Sequence, residues 1–334
     1  MYEFLGIALV LAALLTINAM ATMVALALWC AIRRLLWRCS ARSRAEVLFV
    51  MRIGPPAIAI IAIITFLIPS YLAYEPYSTE EFVSKKLGAL ATLSAIGVAL
   101  ALWRGVRSWL ATRSLLNRWL STAVPIQLAS VDVPSFRLRH RFPVIAVVGT
   151  LRPRLFIAEH VLESLTEGEL SAAIAHECGH LTARDNMKRS LMRAGRAALL
   201  IIPCGRSLDR AWAEASESAA DEYAAQKSSA VALNLASALV RIARMIPKGE
   251  WPALPVSAFL VGGEETRGVK GRVRRLIELA SADSRSLVSN APLVRLVPWV
   301  FLGIVVVLGV SIESRPQILA SVHSAIEHVV SFLS

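Results

Sequence analysis

A run without any charged side chain, residues 4–32, constrains this chain more than any other feature. About 20 apolar residues are enough for a helix to cross the roughly 30 Å hydrocarbon core of a bilayer. Further uncharged runs follow at 53–74, 87–103 and 296–312. Hydrophobic residues make up 56% of the chain and charged residues only 18%, a composition typical of membrane proteins. We therefore expect an integral membrane protein with four transmembrane helices.

A cleaved signal peptide is the competing explanation for the first run. The run is too long for a signal peptide, no basic residue precedes it, and no convincing small-residue cleavage site is visible. We therefore interpret residues 4–32 as a retained transmembrane helix.

The basic residues between the runs predict the orientation in the membrane. Arginines greatly outnumber the single Glu46 between the first two runs, and arginines again follow the third run, whereas residues 75–86 are mixed to acidic. Loops with an excess of Lys and Arg remain in the cytoplasm. The sequence therefore predicts a multi-pass protein of the bacterial inner membrane, with extracytoplasmic N- and C-termini. Because this asymmetry explains the net charge of +12, we expect no direct nucleic-acid binding.

These runs divide the chain into four parts. Residues 1–103 would hold the three N-terminal transmembrane helices, and 104–291 are long enough for a cytoplasmic domain with its own core. Residues 292–312 would hold the fourth helix. Residues 313–334 predict a short extracytoplasmic amphipathic tail.

The segment 166–185, TEGELSAAIAHECGHLTARD, carries the most specific chemical signal. His176 and His180 are four residues apart, so both imidazoles project from one face of a helix. Two such histidines can bind one metal ion, and the carboxylate of Glu177 between them can act on a metal-bound water. A capping box at 166–169 would start this helix well before the histidines. The five-residue pattern also occurs by chance in unrelated chains, so a metal site needs a third ligand.

An acidic helix offers candidates for that third ligand. The segment 214–225, EASESAADEYAA, is rich in alanine and predicts a helix that can approach another closely. Glu217 and Asp221 share one face of it. We assign Glu217 as the third ligand and Asp221 as the carboxylate that orients one ligand histidine. Glu214 and Glu222 are rivals for the ligand position, and a solvated acidic face is the alternative without a metal.

Other polar residues each have more than one possible role. Asp185 follows His180 by one helical turn and could orient it, but a cap or salt bridge at the helix end explains it equally well. A donor that stabilises an oxyanion is also expected. Tyr223, His160 and the arginines of 272–275 are the candidates for it.

Two apolar, β-branched segments precede the metal-binding motif. Residues 143–149 (PVIAVVG) and 154–158 (RLFIA) are separated by a turn and predict a β-hairpin. A free edge of this hairpin could bind an extended peptide by strand addition. A hairpin that only covers the core is the alternative, and the two are compatible. Further on, residues 269–280 predict a basic amphipathic helix.

The predicted topology and three segments, PRLFIAEHVLESL, ELSAAIAHECGH and ESAAD, together resemble the BlaR/MecR-type antirepressor membrane peptidases. Related membrane peptidases of the HtpX and CAAX-processing kind share the HExxH and ExxxD motifs. The resemblance implies a mainly α integral membrane protein with a cytoplasmic α+β zincin-like metallopeptidase domain. It implies one Zn²⁺ per chain in a gluzincin-type site. The implied roles are His176 and His180 as ligands, Glu177 as catalytic base, Glu217 as glutamate ligand and Asp221 as the aspartate that follows it.

The chain also departs from the pattern of that family. The β-lactam sensors carry a large extracellular penicillin-binding domain after the last span, and residues 313–334 leave no room for one. No SxxK serine stands in the outer segments to be acylated. We therefore do not expect this chain to sense antibiotics.

The sequence thus predicts a membrane-embedded zinc metalloendopeptidase that cleaves a cytoplasmic protein, such as a transcriptional repressor, in signal transduction. Glu177 would take a proton from the attacking water and deliver it to the leaving amine. The expected partners are the lipid bilayer and the cytoplasmic protein substrate, with a membrane sensor as a further candidate. A quality-control peptidase for membrane proteins and a non-catalytic membrane sensor or scaffold are the alternatives.

Overall fold

The computed structural model describes residues 2–75, 83–128, 131–195, 205–246, 266–281, 303 and 316–333. Within these residues the protein is mostly helical, with one four-stranded sheet. Three helical segments in this part of the chain are long and apolar enough to cross a membrane, namely Tyr2–Leu36, Ala41–Tyr74 and Lys85–Leu120. They agree with the three predicted N-terminal spans. The predicted fourth span lies outside the described residues apart from Gly303.

The membrane helices extend well beyond the uncharged runs. They are α1 (Tyr2–Leu36), α2 (Ala41–Ala62), a π-helical turn (Ile63–Leu67) that leads into α3 (Ile68–Tyr74), and α4 (Lys85–Leu120). At 1.5 Å per residue, α1 and α4 are each about 50 Å long, against a bilayer core of roughly 30 Å. Most of the predicted loop between the first two spans is therefore helical. Arginine ends an apolar run but not a helix, because its helix propensity is high.

The domain that follows α4 combines a small sheet with helices, as predicted. Its strands are β1 (Val124–Ile126), β2 (Ser135–Leu138), β3 (Ile145–Val148) and β4 (Arg154–Ala158). Its helices are α5 (Glu159–Ser164), α6 (Glu167–Ala183), α7 (Asp185–Gly195), α8 (Gly205–Ala225), α9 (Ser229–Met245) and α10 (Thr266–Ser281). The final described helix is α11 (Pro316–Leu333), where the amphipathic tail was predicted.

The sheet has the order β1-β2-β4-β3. The antiparallel pair of β3 and β4, with Ile145 opposite Ile157, confirms the predicted hairpin. β2 lies parallel to β4, and β1 lies antiparallel to β2. The sequence did not predict β1 and β2, which are short and flanked by polar residues. This order leaves β3 at an edge of the sheet.

The core of the domain lies between the sheet and the helices α4, α6 and α9. All residues of β3 are buried, and Phe156 and Ile157 of β4 are completely covered. The ring of Trp119, near the end of α4, packs edge-on against Phe156 with centroids 5.2 Å apart. The last turns of a membrane helix therefore form part of the domain core, and this anchors the sheet and α6.

The beginning of α2 packs on the domain rather than on the other membrane helices alone. Leu48 and Met51 are buried in a cluster with Leu208 and Trp212 of α8. Arg52, only 4% exposed, forms an ion pair with Asp209 of α8 at 3.0 Å. A second ion pair joins Glu46 of α2 to Lys188 of α7. α2 therefore connects the membrane region directly to the helices α7 and α8.

We expect Gly149→Ala to lower the free energy of unfolding by about 1–3 kcal/mol. Gly149 has φ +108°, and a Cβ atom there would lie 2.7 Å from the carbonyl oxygen of Arg152. Thermal unfolding of the full chain in detergent measures the effect. The control is Gly271→Ala in α10, where no atom lies within 4 Å of the added Cβ. Its stability should stay equal or rise slightly, because alanine has the higher helix propensity. Equal unfolding midpoints for the two variants would contradict the prediction.

Candidate metal centre

Helix α6 has a fixed start and a sharp end. The side chain of Thr166 accepts a hydrogen bond from the Glu169 N–H at 3.3 Å, and the Glu169 carboxylate accepts one from the Thr166 N–H at 2.9 Å. These bonds form the predicted capping box. The helix ends at Arg184, whose left-handed backbone (φ 55°) turns the chain into α7. The motif between these two points is therefore held on a rigid element.

His176 and His180 of α6 and Glu217 of α8 come together in the structure. One ligand atom from each lies within 4.8 Å of the others. His176 Nε2 is 3.7 Å from one Glu217 carboxylate oxygen, and His180 Nε2 is 3.6 Å from the other. Ligand atoms about 2.0–2.1 Å from one tetrahedral ion would stand roughly 3.4 Å apart. The three side chains could therefore hold a single metal ion.

The burial of His176 gives a further test of that fit. His176 is 0% exposed, and its Nε2 has no hydrogen-bond partner among the described residues. An unsatisfied buried nitrogen costs about 1–3 kcal/mol. A metal ion between the three side chains would satisfy this nitrogen. Two imidazoles and one carboxylate form a donor set that suits zinc.

A carboxylate holds the other nitrogen of each histidine. Asp221 Oδ1 lies 2.9 Å from His176 Nδ1, and Asp185 Oδ2 lies 2.7 Å from His180 Nδ1. The Ser216 hydroxyl donates to the same oxygen of Asp185 at 2.7 Å. A carboxylate at Nδ1 favours the tautomer that leaves Nε2 free to bind a metal. The structure thus places Asp221 and Asp185 each beside one of the two histidines.

The rival ligands do not join this group. Glu222 accepts a hydrogen bond from the Ala41 N–H of α2 at 3.0 Å and forms an ion pair with Arg275 of α10. Glu214 is absent from the group of side chains that could hold an ion in the described part of the chain. Glu217 is therefore the glutamate of α8 that faces the histidines.

Glu177 lies beside the histidines and is 6% exposed. Its Oε2 accepts a hydrogen bond from the N–H of Val147 in β3 at 3.2 Å. Burial raises the pKa of the Glu177 carboxyl, although positive charge on His180 and His176 opposes this change. A raised pKa makes the carboxylate a stronger base, which suits a group that must accept a proton.

Arg272 of α10 completes the group, and the sequence did not predict this position. Its Nε and Nη2 donate to the two oxygens of Asp221 at 2.8 and 2.7 Å, and its Nη1 lies 3.2 Å from Glu217 Oε2. Burial alone would raise the pKa of Asp221, but Arg272 and His176 hold it well below its usual range. The sequence signal was the basic helix, from which Arg272 was named only as an oxyanion candidate.

A cleft of about 320 Å³ opens beside the histidines. Its lining includes Glu177, His180, Glu217 and the residues that follow β3, and it continues along α7. Asn186 of α7 donates to the carbonyl oxygens of Val147 and Gly149 at 2.8 and 3.2 Å, so it covers part of the β3 edge. The candidate oxyanion donors named from the sequence are not part of the lining. Arg184 and Arg189 line the cleft instead, and the sequence did not indicate them.

Residues 146–248, from β3 to just past α9, match the peptidase family M48. The matched segment contains both histidines, Glu177 and Glu217. The match supports a metallopeptidase domain, and family M48 is typically zinc-dependent. It is to the family as a whole and does not single out the BlaR/MecR type. None of the curated proteins compared with the chain matches it.

We expect Gly179→Ala to weaken zinc binding about tenfold. A Cβ at Gly179 would lie 3.0 Å from Ala220 Cα and 3.3 Å from Tyr223 Cβ, so α6 and α8 would have to separate. Such overpacking costs about 1–3 kcal/mol and would move Glu217 away from the histidines. Chelator competition measures the affinity. Gly105→Ala in α4, where the added Cβ meets no atom within 4 Å, is the control. An unchanged zinc affinity in Gly179→Ala would show that this close contact does not set the ligand geometry.

Zinc binding should also depend on pH. Burial lowers the pKa of His180, but the hydrogen bond with Asp185 and the negative charges of Glu217 and Glu177 raise it overall to about 9. Metal-free protein at pH 7 therefore carries a proton on His180, which must leave before Nε2 binds zinc.

We expect the dissociation constant for zinc to fall about tenfold per pH unit between pH 7 and 8.5. A chelator-buffered titration at several pH values measures it. In Asp185→Asn this dependence should end at a lower pH, because the hydrogen bond that raises the pKa is weakened. A pH-independent affinity in the unsubstituted chain would argue against a proton on His180.

Proposed function

We propose that this chain is a membrane-embedded zinc endopeptidase of the gluzincin type that cleaves a cytoplasmic protein in signal transduction. The observation that carries the proposal is the convergence of His176, His180 and Glu217 beside the buried Glu177. The match of this segment to peptidase family M48 supports it. On a solvated acidic face, by contrast, His176, Glu177 and Asp221 would be exposed, whereas here all three are buried.

The residues of the centre have distinct tasks in this proposal. A zinc ion held by His176, His180 and Glu217 would supply a Lewis acid that polarises the scissile carbonyl and acidifies water. Glu177 accepts the proton of the attacking water and then donates it to the leaving amine. Asp221 and Asp185 keep the histidine rings oriented through their Nδ1 atoms.

The edge of β3 offers a place for an extended peptide. β3 is the end strand of the sheet and borders the cleft, so a peptide bound along it would pass close to Glu177. Glu177 bonds to the Val147 N–H, and Asn186 bonds to the Val147 and Gly149 carbonyl oxygens. A peptide that adds to this edge would replace these bonds with backbone hydrogen bonds of its own.

The contacts of α2 support a role in signalling. Arg52 joins α2 to α8, which carries Glu217, and Glu46 joins α2 to α7, which carries Asp185. A displacement of α2 within the membrane would therefore act on both helices that position the metal centre. The excess of arginine in the segments that flank the spans supports a cytoplasmic location of this centre. A transcriptional repressor is the substrate that the resemblance suggests.

The test compares new protein N-termini in cells that express the unsubstituted chain or Glu177→Gln. The variant keeps the ligands but loses the base, so we expect one or a few cytoplasmic N-termini to disappear. Disappearance of many termini from membrane proteins would favour quality-control proteolysis instead. If no terminus changes and purified protein contains no zinc, the chain is a non-catalytic sensor or scaffold and the proposal fails. Zinc content in both proteins is therefore measured in parallel.

A further inference from the structure

Two arginines line the cleft, the exposed Arg184 and the half-buried Arg189. Arg184 and Arg189 line the cleft together with Glu177 and Glu217. Among the residues that the structure describes, neither guanidinium forms an ion pair with a carboxylate. Several other buried or half-buried cations are paired, namely Arg52 with Asp209, Lys188 with Glu46, Arg272 with Asp221 and Arg275 with Glu222.

Arg189 is half-buried and held on a well-anchored helix. Its guanidinium carbon lies 5.7 Å from the ring centroid of Trp212, which is 2% exposed. Separate contacts fix α7 to three neighbours, since Asp185 binds His180, Asn186 binds β3 and Lys188 binds α2. Arg189 therefore presents a preorganised positive charge, which loses less entropy on binding an anion than a free surface arginine would.

Arg189 interacts electrostatically with Glu217, so the charge of the whole cleft has to be considered. The acidic residues in the cleft lining are Glu177, Asp185 and Glu217, and all three belong to the metal centre. A divalent ion held by the three ligands would, together with Arg184 and Arg189, outweigh these three carboxylates. A concave site with an excess of positive charge attracts anionic groups. Arginine binds carboxylates well because its planar donors can form two parallel hydrogen bonds.

We propose that Arg189, assisted by Arg184, binds a carboxylate of the peptide substrate, so that the cleft selects peptides with an acidic group near the scissile bond. This inference deepens the proposed peptidase function and rests on it for the cleavage measurement alone. The carboxylate could come from an aspartate or glutamate side chain or from the C-terminus of a peptide, and the experiment separates these sources.

The first measurement is peptide binding, which needs no catalysis. The full chain with Glu177→Gln, loaded with zinc in detergent, is titrated into dye-labelled, amidated peptides that carry one central aspartate. A matched pool carries asparagine at that place. We expect the aspartate pool to bind about tenfold more tightly, the effect of one hydrogen-bonded charge pair in a half-buried cleft. The asparagine pool with a free C-terminal carboxylate shows whether the terminus binds instead.

Variants then locate the effect. Adding Arg189→Gln should abolish the preference for the carboxylate, and Arg189→Lys should retain part of it. Arg244→Gln removes one exposed positive charge from α9, outside the cleft lining, and should leave the preference unchanged. Equal affinities for the two pools would overturn the inference. So would a preference that survives Arg189→Gln, because the carboxylate would then bind elsewhere, for example to zinc itself.

Cleavage by the active chain gives the second measurement. A peptide library derived from a cell lysate is digested, and the sequences around the cleavage sites are determined. We expect acidic residues to be enriched at one position near the scissile bond, or cleavage at a fixed distance from the C-terminus. Arg189→Gln should lower kcat/KM for acidic substrates about tenfold and change their amide counterparts less.

The two measurements separate the two proposals. Carboxylate-dependent binding without any cleavage would leave this inference standing and overturn the peptidase function. Cleavage without any preference for an acidic group would support the peptidase function and overturn this inference.

Discussion

The buried ion pair between Asp221 and Arg272 is the interaction on which the metal centre depends. Asp221 is 1% exposed and also contacts His176, so its charge is stable only while Arg272 donates to both carboxylate oxygens. Removal of one partner from such a pair leaves an uncompensated buried charge, at a cost of about 3–5 kcal/mol. The same pair fixes α10 to α8 and orients one histidine. Arg272 also contacts Glu217, and thus three of the carboxylate and imidazole groups share one guanidinium.

Helix α8 lies between the metal centre and the membrane helix α2. Glu217 and Asp221 face the histidines, while the next residue, Glu222, accepts a hydrogen bond from the first N–H of α2. Ala220 on the same helix lies so close to Gly179 of α6 that no Cβ fits at Gly179 without adjustment. Because protein interiors are close-packed, a shift of α8 cannot be absorbed locally. The geometry of the ligands and the position of α2 are therefore mechanically connected.

Most of what the sequence predicted depends on spacing within one element; the meeting of Glu217 and Asp221 with the histidines was also predicted, but the contacts of Arg272 were not. The histidine pair, the capping box and the face shared by Glu217 and Asp221 all follow from helical periodicity. The contacts of Arg272 could not be predicted, because only the packing of α10 on α8 selects it from the three arginines of 272–275. The extent of α1 and α2 was underestimated for a different reason. An uncharged run shows only the part of a helix that can lie in lipid. The helix itself can continue beyond that part, as α2 does at Arg52, where the arginine pairs with the carboxylate of Asp209.

Helix α7 combines contacts that the sequence gave no reason to associate. Asp185 orients a histidine, Asn186 covers the β3 edge, Lys188 binds the membrane helix α2, and Arg189 enters the cleft. Since these side chains lie within little more than one helical turn, a rotation or shift of α7 changes all four contacts together. An extended peptide on β3 would displace Asn186, and the strain would pass through the same backbone to Asp185 and to Lys188. The β3 edge proposed for the substrate, the candidate metal ligands and the membrane helix α2 thus all contact one short helix.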